Sequence, residues 1–293
     1  MERVSGEAEM ILATGAAGKT GIHVIRALAA RGQQVRALVR RAEQADQLKA
    51  LGAAEVVVGD MGDRQTLWRA FSGVSSVYHI APNMSPDELN IGLAAIQAAL
   101  EAGLEHFVYH SVLHPQVMDM PHHWLKLRVE EALFKSGLNF TILQPAAYMQ
   151  NLLGYREAIL AHGVYAVPYS VDARQSLVDL TDVAEAAAIV LTRPGHDHAI
   201  YEVVSPDAPS AREIAALVSK RIKRPVRAES IDRREWEARA RASGMAVYAV
   251  DTLMKMFTYY EQHNFLGNSN VLGWLLSRSP RRFEQFLSEN FIP

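Results

Sequence analysis

At 293 residues, the chain is long enough for one large domain or for a nucleotide-binding domain with a smaller appendage. Its 49% hydrophobic content supplies a full core and excludes a disordered polymer. A formal charge of −2, with no long Lys/Arg block, gives no attraction to nucleic acid, and the lack of cysteine removes disulfides, thiolate nucleophiles and cysteine-bound zinc. The polar, acidic opening MERVSGEAE shows no secretory signal, and every apolar run is broken before a membrane-spanning length. A cytoplasmic protein without nucleic-acid or membrane partners is expected.

The stretch Met10 to Gly21, MILATGAAGKTG, runs an apolar strand into a glycine-rich turn and then a helix over Thr20 to Arg31. Gly15, Gly18 and Gly21 have the spacing that cradles a dinucleotide pyrophosphate at a helix N-terminus. A second strand, Val35 to Val39, completes a βαβ unit. Where an NAD site usually ends that strand in Asp or Glu, this chain has Arg40-Arg41, whose planar forks of donors suit a 2′-phosphate. The same arginines also read as the solvated start of a helix, but the strand-end position favours NADP. Lys19 adds a positive charge inside the turn.

Further apolar runs at Val56 to Val58, Ser76 to Ile80, Phe107 to Tyr109 and Phe140 to Leu143 alternate with helical patterns at Arg64 to Phe71, Glu88 to Ala102 and Trp124 to Lys135. That alternation predicts a parallel sheet covered by helices, with Gly32, Gly103 and Gly137 closing several of them. After Pro145 the pattern loosens into a helix over Met149 to Ala161, a turn at Gly163 and a strand at Val164 to Val167. Ser176 to Asp179 and Tyr201 to Val204 read as strands returning to the main sheet around a helix at Val183 to Leu191. From Ser210 the chain is mostly helical, with a basic interruption at Lys220 to Arg227 and a last helix near Arg281 to Glu289. The predicted organisation is a nucleotide-binding domain over residues 1–150, which segments near 176–204 rejoin, and a smaller substrate lobe over 151–293.

Ligands of open parallel sheets lie beyond the carboxyl ends of the strands, so the residues there are the site candidates. Asp60 can accept from an adenine amino group with Met61 covering the ring, or it can cap the next helix. Ala81, Pro82 and Asn83 would run beside the nicotinamide ribose. His122, Lys126 and Glu130 are four residues apart on one helix face. Lys126 can hold ribose hydroxyls or act as an acid if desolvated, and an exposed Lys126–Glu130 ion pair is the plainer alternative. His106, His110 and His114 have no carboxylate among them and do not suggest a metal site. Ser111 lacks the Gly-x-Ser-x-Gly elbow of acyl transfer. Phe257, Tyr259, Tyr260, Phe265 and Trp274 can line an apolar pocket, with helix packing as their default.

TGAAGKTG, LVRR, GDMGD, HWLKLRVEEALFKSGLNFTILQP, AYMQNLL and SRSPRRFEQFL together resemble the NmrA-like family of atypical short-chain dehydrogenases/reductases, over essentially the whole chain. The resemblance implies a doubly wound parallel Rossmann sheet with a smaller, partly interleaved, mostly helical C-terminal lobe. It implies NADP(H) contacts at Gly15, Ala16, Ala17, Gly18, Lys19, Thr20, Gly21, Arg40, Asp60, Met61, Ala81, Pro82, Asn83, Lys126, Pro145, Tyr148 and Asn151. The superfamily's Tyr-x-x-x-Lys is absent, and His122 stands where the tyrosine would be. Imidazole can donate a proton at neutral pH, so His122 and Lys126 are the catalytic candidates. The expected activity is NADPH-dependent hydride transfer to a small apolar, aromatic or conjugated substrate such as a quinone, dye, enone or benzylic ether. The alternative is a non-catalytic NADP(H) sensor that binds a protein partner. A homodimer is compatible with either.

Overall fold

The computed structural model describes residues 9–291. Its centre is a seven-stranded sheet in the order β3-β2-β1-β4-β5-β6-β10. The strands are β1 (Met10–Ala13), β2 (Gln34–Val39), β3 (Glu55–Val58), β4 (Ser76–His79), β5 (His106–His110), β6 (Phe140–Pro145) and β10 (Ala199–Val203). Every neighbouring pair is parallel. β4 and β6 are buried along their whole length, as strands covered on both faces must be, and their centres, Val77-Tyr78 and Ile142-Leu143, are apolar while Ser76, His79, Thr141 and Gln144 are buried polar positions.

One face is covered by α1 (Lys19–Ala29) and α7 (Leu180–Thr192), packed on each other, and the opposite face by α3 (Arg64–Phe71), α4 (Glu88–Ala102) and α5 (Pro121–Ser136). The strand order reverses between β1 and β4, so their carboxyl ends open a crevice where a dinucleotide sits in sheets of this kind. A third apolar cluster joins α8 (Ala211–Ile222), α12 (Phe283–Asn290) and the residues around Met149 and Leu152. Between them lie α9 (Arg233–Ala242), α10 (Val247–His263) and α11 (Ser269–Leu276). Among the described residues, no helix is long and apolar enough to cross a membrane.

The structure differs from the sequence reading at several places. Of the two returning segments, only β10 joins the sheet; β9 (Leu177–Val178) pairs instead with β7 (Ala147–Tyr148), because β10 already occupies the free edge of β6. The helix expected over Met149 to Ala161 is a 3-10 stretch, Met149–Tyr155, followed by α6 (Arg156–His162). Pro121 sits in the first turn of α5, so that helix starts before Trp124 and includes His122 and His123. The sequence carries no sign of the 3-10 turn Ala42–Gln44, of α2 (Ala45–Ala50), of β7, or of β11 (Arg227–Ser230), which pairs with β8 (Val164–Val167).

Candidate functional site

The glycine turn between β1 and α1 is fixed by contacts that no side chain would allow. Gly15 has φ of +56°, and a Cβ there would come within 2.7 Å of Ile80 Cγ2 and 2.8 Å of the Ile80 carbonyl. A Cβ on Gly21 would lie 2.5 Å from the Gly15 carbonyl and 2.6 Å from that of Ala16. The turn therefore presses the start of α1 against the strand end. That start has no side-chain cap and no acid in its first turn, so its amides and dipole face outward to an anion. Arg40, at the end of β2, is exposed and makes no ion pair among the described residues, whereas Arg41 pairs with Glu43 at 3.3 Å. A glycine cradle, an uncapped helix and an uncommitted guanidinium fit a dinucleotide with an extra phosphate.

Asp60 does not cap α3. Asp63 does, accepting from the amides of Gln65 and Thr66. Asp60 instead takes the Gly62 amide at 2.7 Å, which holds its carboxylate at the crevice beside buried Met61. All the positions anticipated from the sequence line one cavity of about 1350 Å³: Gly15 to Gly21, Arg40, Asp60, Met61, Ala81, Pro82, Asn83, His122, Lys126, Pro145, Tyr148 and Asn151.

Lys126 is not paired with Glu130. Its Nζ donates to Glu88 Oε1 at 2.8 Å and to the His110 carbonyl at 3.3 Å, and lies 5.4 Å from the Tyr109 ring centroid. The Tyr109 hydroxyl donates to the same Glu88 oxygen at 2.9 Å. Glu130 is buried and accepts from Ser111 Oγ and from Gln144 Nε2, with burial as the main cause raising its pKa. The carboxylate four residues along the helix thus organises the end of β5, while one 38 residues away in sequence fixes the lysine.

His122 lines the cavity but does not fit the proton-donor role assigned to it. Burial, aided by His123 and Lys126, lowers its pKa to about 2, and its Nδ1 has no partner among the described residues. At neutral pH it is an uncharged imidazole and a poor acid. His110 and His123, also on the wall, are lowered to about 3 and about 4, chiefly by burial. His110 bridges Tyr78 and Tyr148, its Nε2 lying 2.7 Å from the Tyr148 hydroxyl. Thr20 donates to that hydroxyl at 3.3 Å, tying the segment after β6 to the first turn of α1. Burial pushes the Tyr148 phenol up to about 12.

At its other end the cavity is aromatic, lined by Tyr155, Tyr165, Tyr169, Trp236, Phe257, Tyr260 and Phe265. The Trp236 and Phe257 rings meet edge to face at 4.8 Å, and those of Tyr155 and Tyr165 at 5.0 Å. Of the aromatics flagged in the sequence, Phe257, Tyr260 and Phe265 reach this wall, whereas Trp274 is 74% exposed on α11.

The model of the NmrA-like family matches residues 7–287 of the chain. The chain belongs to the NmrA-like family. An NmrA-like relative from Xenophilus azovorans, an NAD(P)H azoreductase, is 32% identical over 94% of this chain and 96% of its own length. A (4-alkanoyl-5-oxo-2,5-dihydrofuran-3-yl)methyl phosphate reductase from Streptomyces griseus is 36% identical over 76% of this chain and 77% of its own. The crystal structure of the NADPH-dependent quinone oxidoreductase QOR2 from Escherichia coli, complexed with NADPH, superposes with a TM-score of 0.85 at 26% identity. It covers 96% of this chain and 100% of that one.

In this NmrA-like chain, sequence reasoning missed Glu88, the tyrosines at 155, 165 and 169, and Trp236. Glu88 stands at the first position of α4, where an acid is ordinary for the helix dipole, so nothing local marks it. Tyr155, Tyr165 and Tyr169 come from irregular or short elements where periodicity carries no signal, and Trp236 sits on α9, whose sequence is otherwise mostly charged.

Proposed function

We propose that this NmrA-like protein is an NADPH-dependent reductase that passes hydride to a small apolar, aromatic or conjugated substrate. The carrying observation is a single cavity that runs from the glycine turn and Arg40, past Lys126, to an aromatic chamber. The azoreductase and quinone oxidoreductase relatives support the reaction class, and the NADPH-bound neighbour supports the cofactor.

Gly15 to Gly21 would hold the diphosphate, Arg40 the 2′-phosphate, Asp60 and Met61 the adenine, and Ala81 to Asn83 the nicotinamide ribose. Lys126, held in place by Glu88, would fix ribose hydroxyls. Pro145, Tyr148 and Asn151 close the far side of the crevice. When bound, reduced nicotinamide supplies the hydride. The chain's own task is to bind, orient and exclude bulk water. His110, His122 and His123 are neutral and offer no imidazolium proton, so the proton that completes the reduction comes from water or from a proton-bearing wall group such as the Lys126 ammonium or the Tyr148 hydroxyl. In this reading residues 1–150 with the returning β10 carry the cofactor and residues 151–293 the substrate. The protein acts in the cytoplasm on small molecules without nucleic acid, and sedimentation decides whether it is a homodimer.

The test is calorimetric titration with NADPH and NADH, then cofactor oxidation against quinones, azo dyes, enones and benzylic ethers. NADPH should bind more tightly, and Arg40→Glu should erase roughly 10- to 100-fold of that preference, the range for a charge-assisted hydrogen bond. Tight NADPH binding with no turnover of any class would overturn the reductase reading in favour of a cofactor sensor.

A further inference from the structure

We infer that the aromatic chamber admits flat, uncharged conjugated substrates and rejects anionic ones, with Gln175 and the neighbouring Tyr169 hydroxyl meeting the substrate's polar edge. The inference rests on the reductase reading for the identity of the chamber as the substrate site, but it concerns only the charge the chamber tolerates.

Among the described residues, the cationic side chains lining the cavity are Lys19, Arg40, Arg41 and Lys126. The first three stand at the glycine turn and the end of β2, and Lys126 is engaged by Glu88. The walls contributed by residues 149–283 carry no charged side chain, and their polar groups are tyrosine hydroxyls, the Asn151 and Gln175 amides and the Trp236 indole N–H. Burial pushes the Tyr169 phenol up to about 12 and raises those of Tyr155 and Tyr165, so all three are neutral.

Three arginines next to the chamber in sequence are already committed. Arg174 faces Glu213 at 3.7 Å, Arg212 is held by both oxygens of Asp172, and Arg233 pairs with Glu261. A sulfonate, carboxylate or phosphate entering this end would lose its hydration and find no counter-charge. A neutral carbonyl would lose far less and would meet the hydroxyl and amide donors. The chain thereby parts from its Streptomyces griseus relative, whose name specifies a phosphate ester.

The experiment compares 1,4-naphthoquinone with 1,4-naphthoquinone-2-sulfonate by calorimetry on the free protein and on the protein saturated with NADP+, so that no turnover confuses the binding and the free protein reads the chamber without the cationic nicotinamide ring. The neutral quinone should bind on the order of 100-fold more tightly. Gln175→Lys should narrow that ratio about tenfold and Gln175→Glu should widen it, since each adds one charge, of opposite sign. Leu253→Lys, on the cavity wall contributed by α10, should act like Gln175→Lys and replaces it if that variant does not fold. Equal binding of the two quinones to the wild type would overturn the inference, as would Lys and Glu at position 175 shifting the ratio in the same direction. Failure of NADP+ to bind would count against the reductase reading alone, because the same pair can be titrated on the free protein.

Discussion

Replacing Lys126 with Met removes the ammonium while keeping most of the stem, and the packing around Glu88 sets the consequence before any turnover is measured. The Lys126 and Glu88 side chains are 14% and 4% exposed, and their Nζ and Oε1 atoms are 2.8 Å apart. Without the lysine, the Glu88 carboxylate stays buried with the Tyr109 hydroxyl as its remaining hydrogen-bond donor among the described residues. Breaking a buried ion pair from one side costs roughly 3–5 kcal/mol, and because Lys126 borders the cavity, where water can follow, the lower end, about 3 kcal/mol, is expected. Changing Glu88 to Gln removes the stranded charge and keeps an acceptor for Tyr109. Lys126→Met/Glu88→Gln should therefore recover all but about 1 kcal/mol, near the net worth of an ordinary hydrogen bond. Urea denaturation reads both, as midpoint shifts at constant m-value. A single mutant within about 0.5 kcal/mol of wild type, or two substitutions whose costs simply add, would refute the coupling. The recovered double mutant is also the proper protein in which to ask whether turnover needs the lysine.

Two other outcomes follow from the same geometry. Gly21→Ala drives a methyl into the carbonyls of Gly15 and Ala16, both backbone atoms that cannot rotate aside. It should destabilise by about 1–3 kcal/mol, as overpacking does, and weaken NADPH binding by more than tenfold in calorimetry, whereas unchanged affinity would contradict the cradle. The second outcome concerns pH. His79, His110, His122 and His123 are held neutral with pKa values of about 3, 3, 2 and 4, mainly by burial. These folded values lie below the ordinary histidine value, so their stability is fully present above pH 6.5. It is lost as pH falls, because the unfolded chain takes protons that the native state refuses. Each contributes at most about 1.4 kcal/mol per pH unit between 6.5 and its folded value. Glu130, raised by burial, acts in the opposite sense. Urea midpoints should drop between pH 7 and pH 5, and His122→Phe should flatten the slope; midpoints level over that range would exclude buried neutral histidines.

What could be read from the sequence was whatever is written locally. The central strands were legible because strands buried on both faces are rich in apolar residues, as Val77-Tyr78 in β4 and Ile142-Leu143 in β6 are. β11, with the sequence Arg-Ala-Glu-Ser and no fully buried position, offers no such pattern, and its pairing with β8 is decided by the fold around it. The positions that converge on the cavity were legible because each directly follows a strand or belongs to a short linear motif. Their partners were not. Lys126 was placed beside Glu130 by helical spacing, yet it turns to Glu88, which only the packing of α4 against α5 brings within reach. His122 was put in the right wall with the wrong charge state, since spacing fixes position and tertiary burial fixes pKa.

The missing phenol of Tyr-x-x-x-Lys then bears on which substrates such a wall can reduce. Hydride delivered to a simple ketone leaves a localised alkoxide that needs an acid at once, and the neutral His110, His122 and His123 cannot provide one. Hydride delivered to a quinone or another extended acceptor leaves an anion spread over the conjugated system, which can wait for water. The aromatic chamber favours the second kind of acceptor, because Tyr155, Trp236 and Phe257 offer flat apolar faces. An aromatic chamber beside histidines that hold no proton to spare therefore suits substrates that stabilise negative charge themselves.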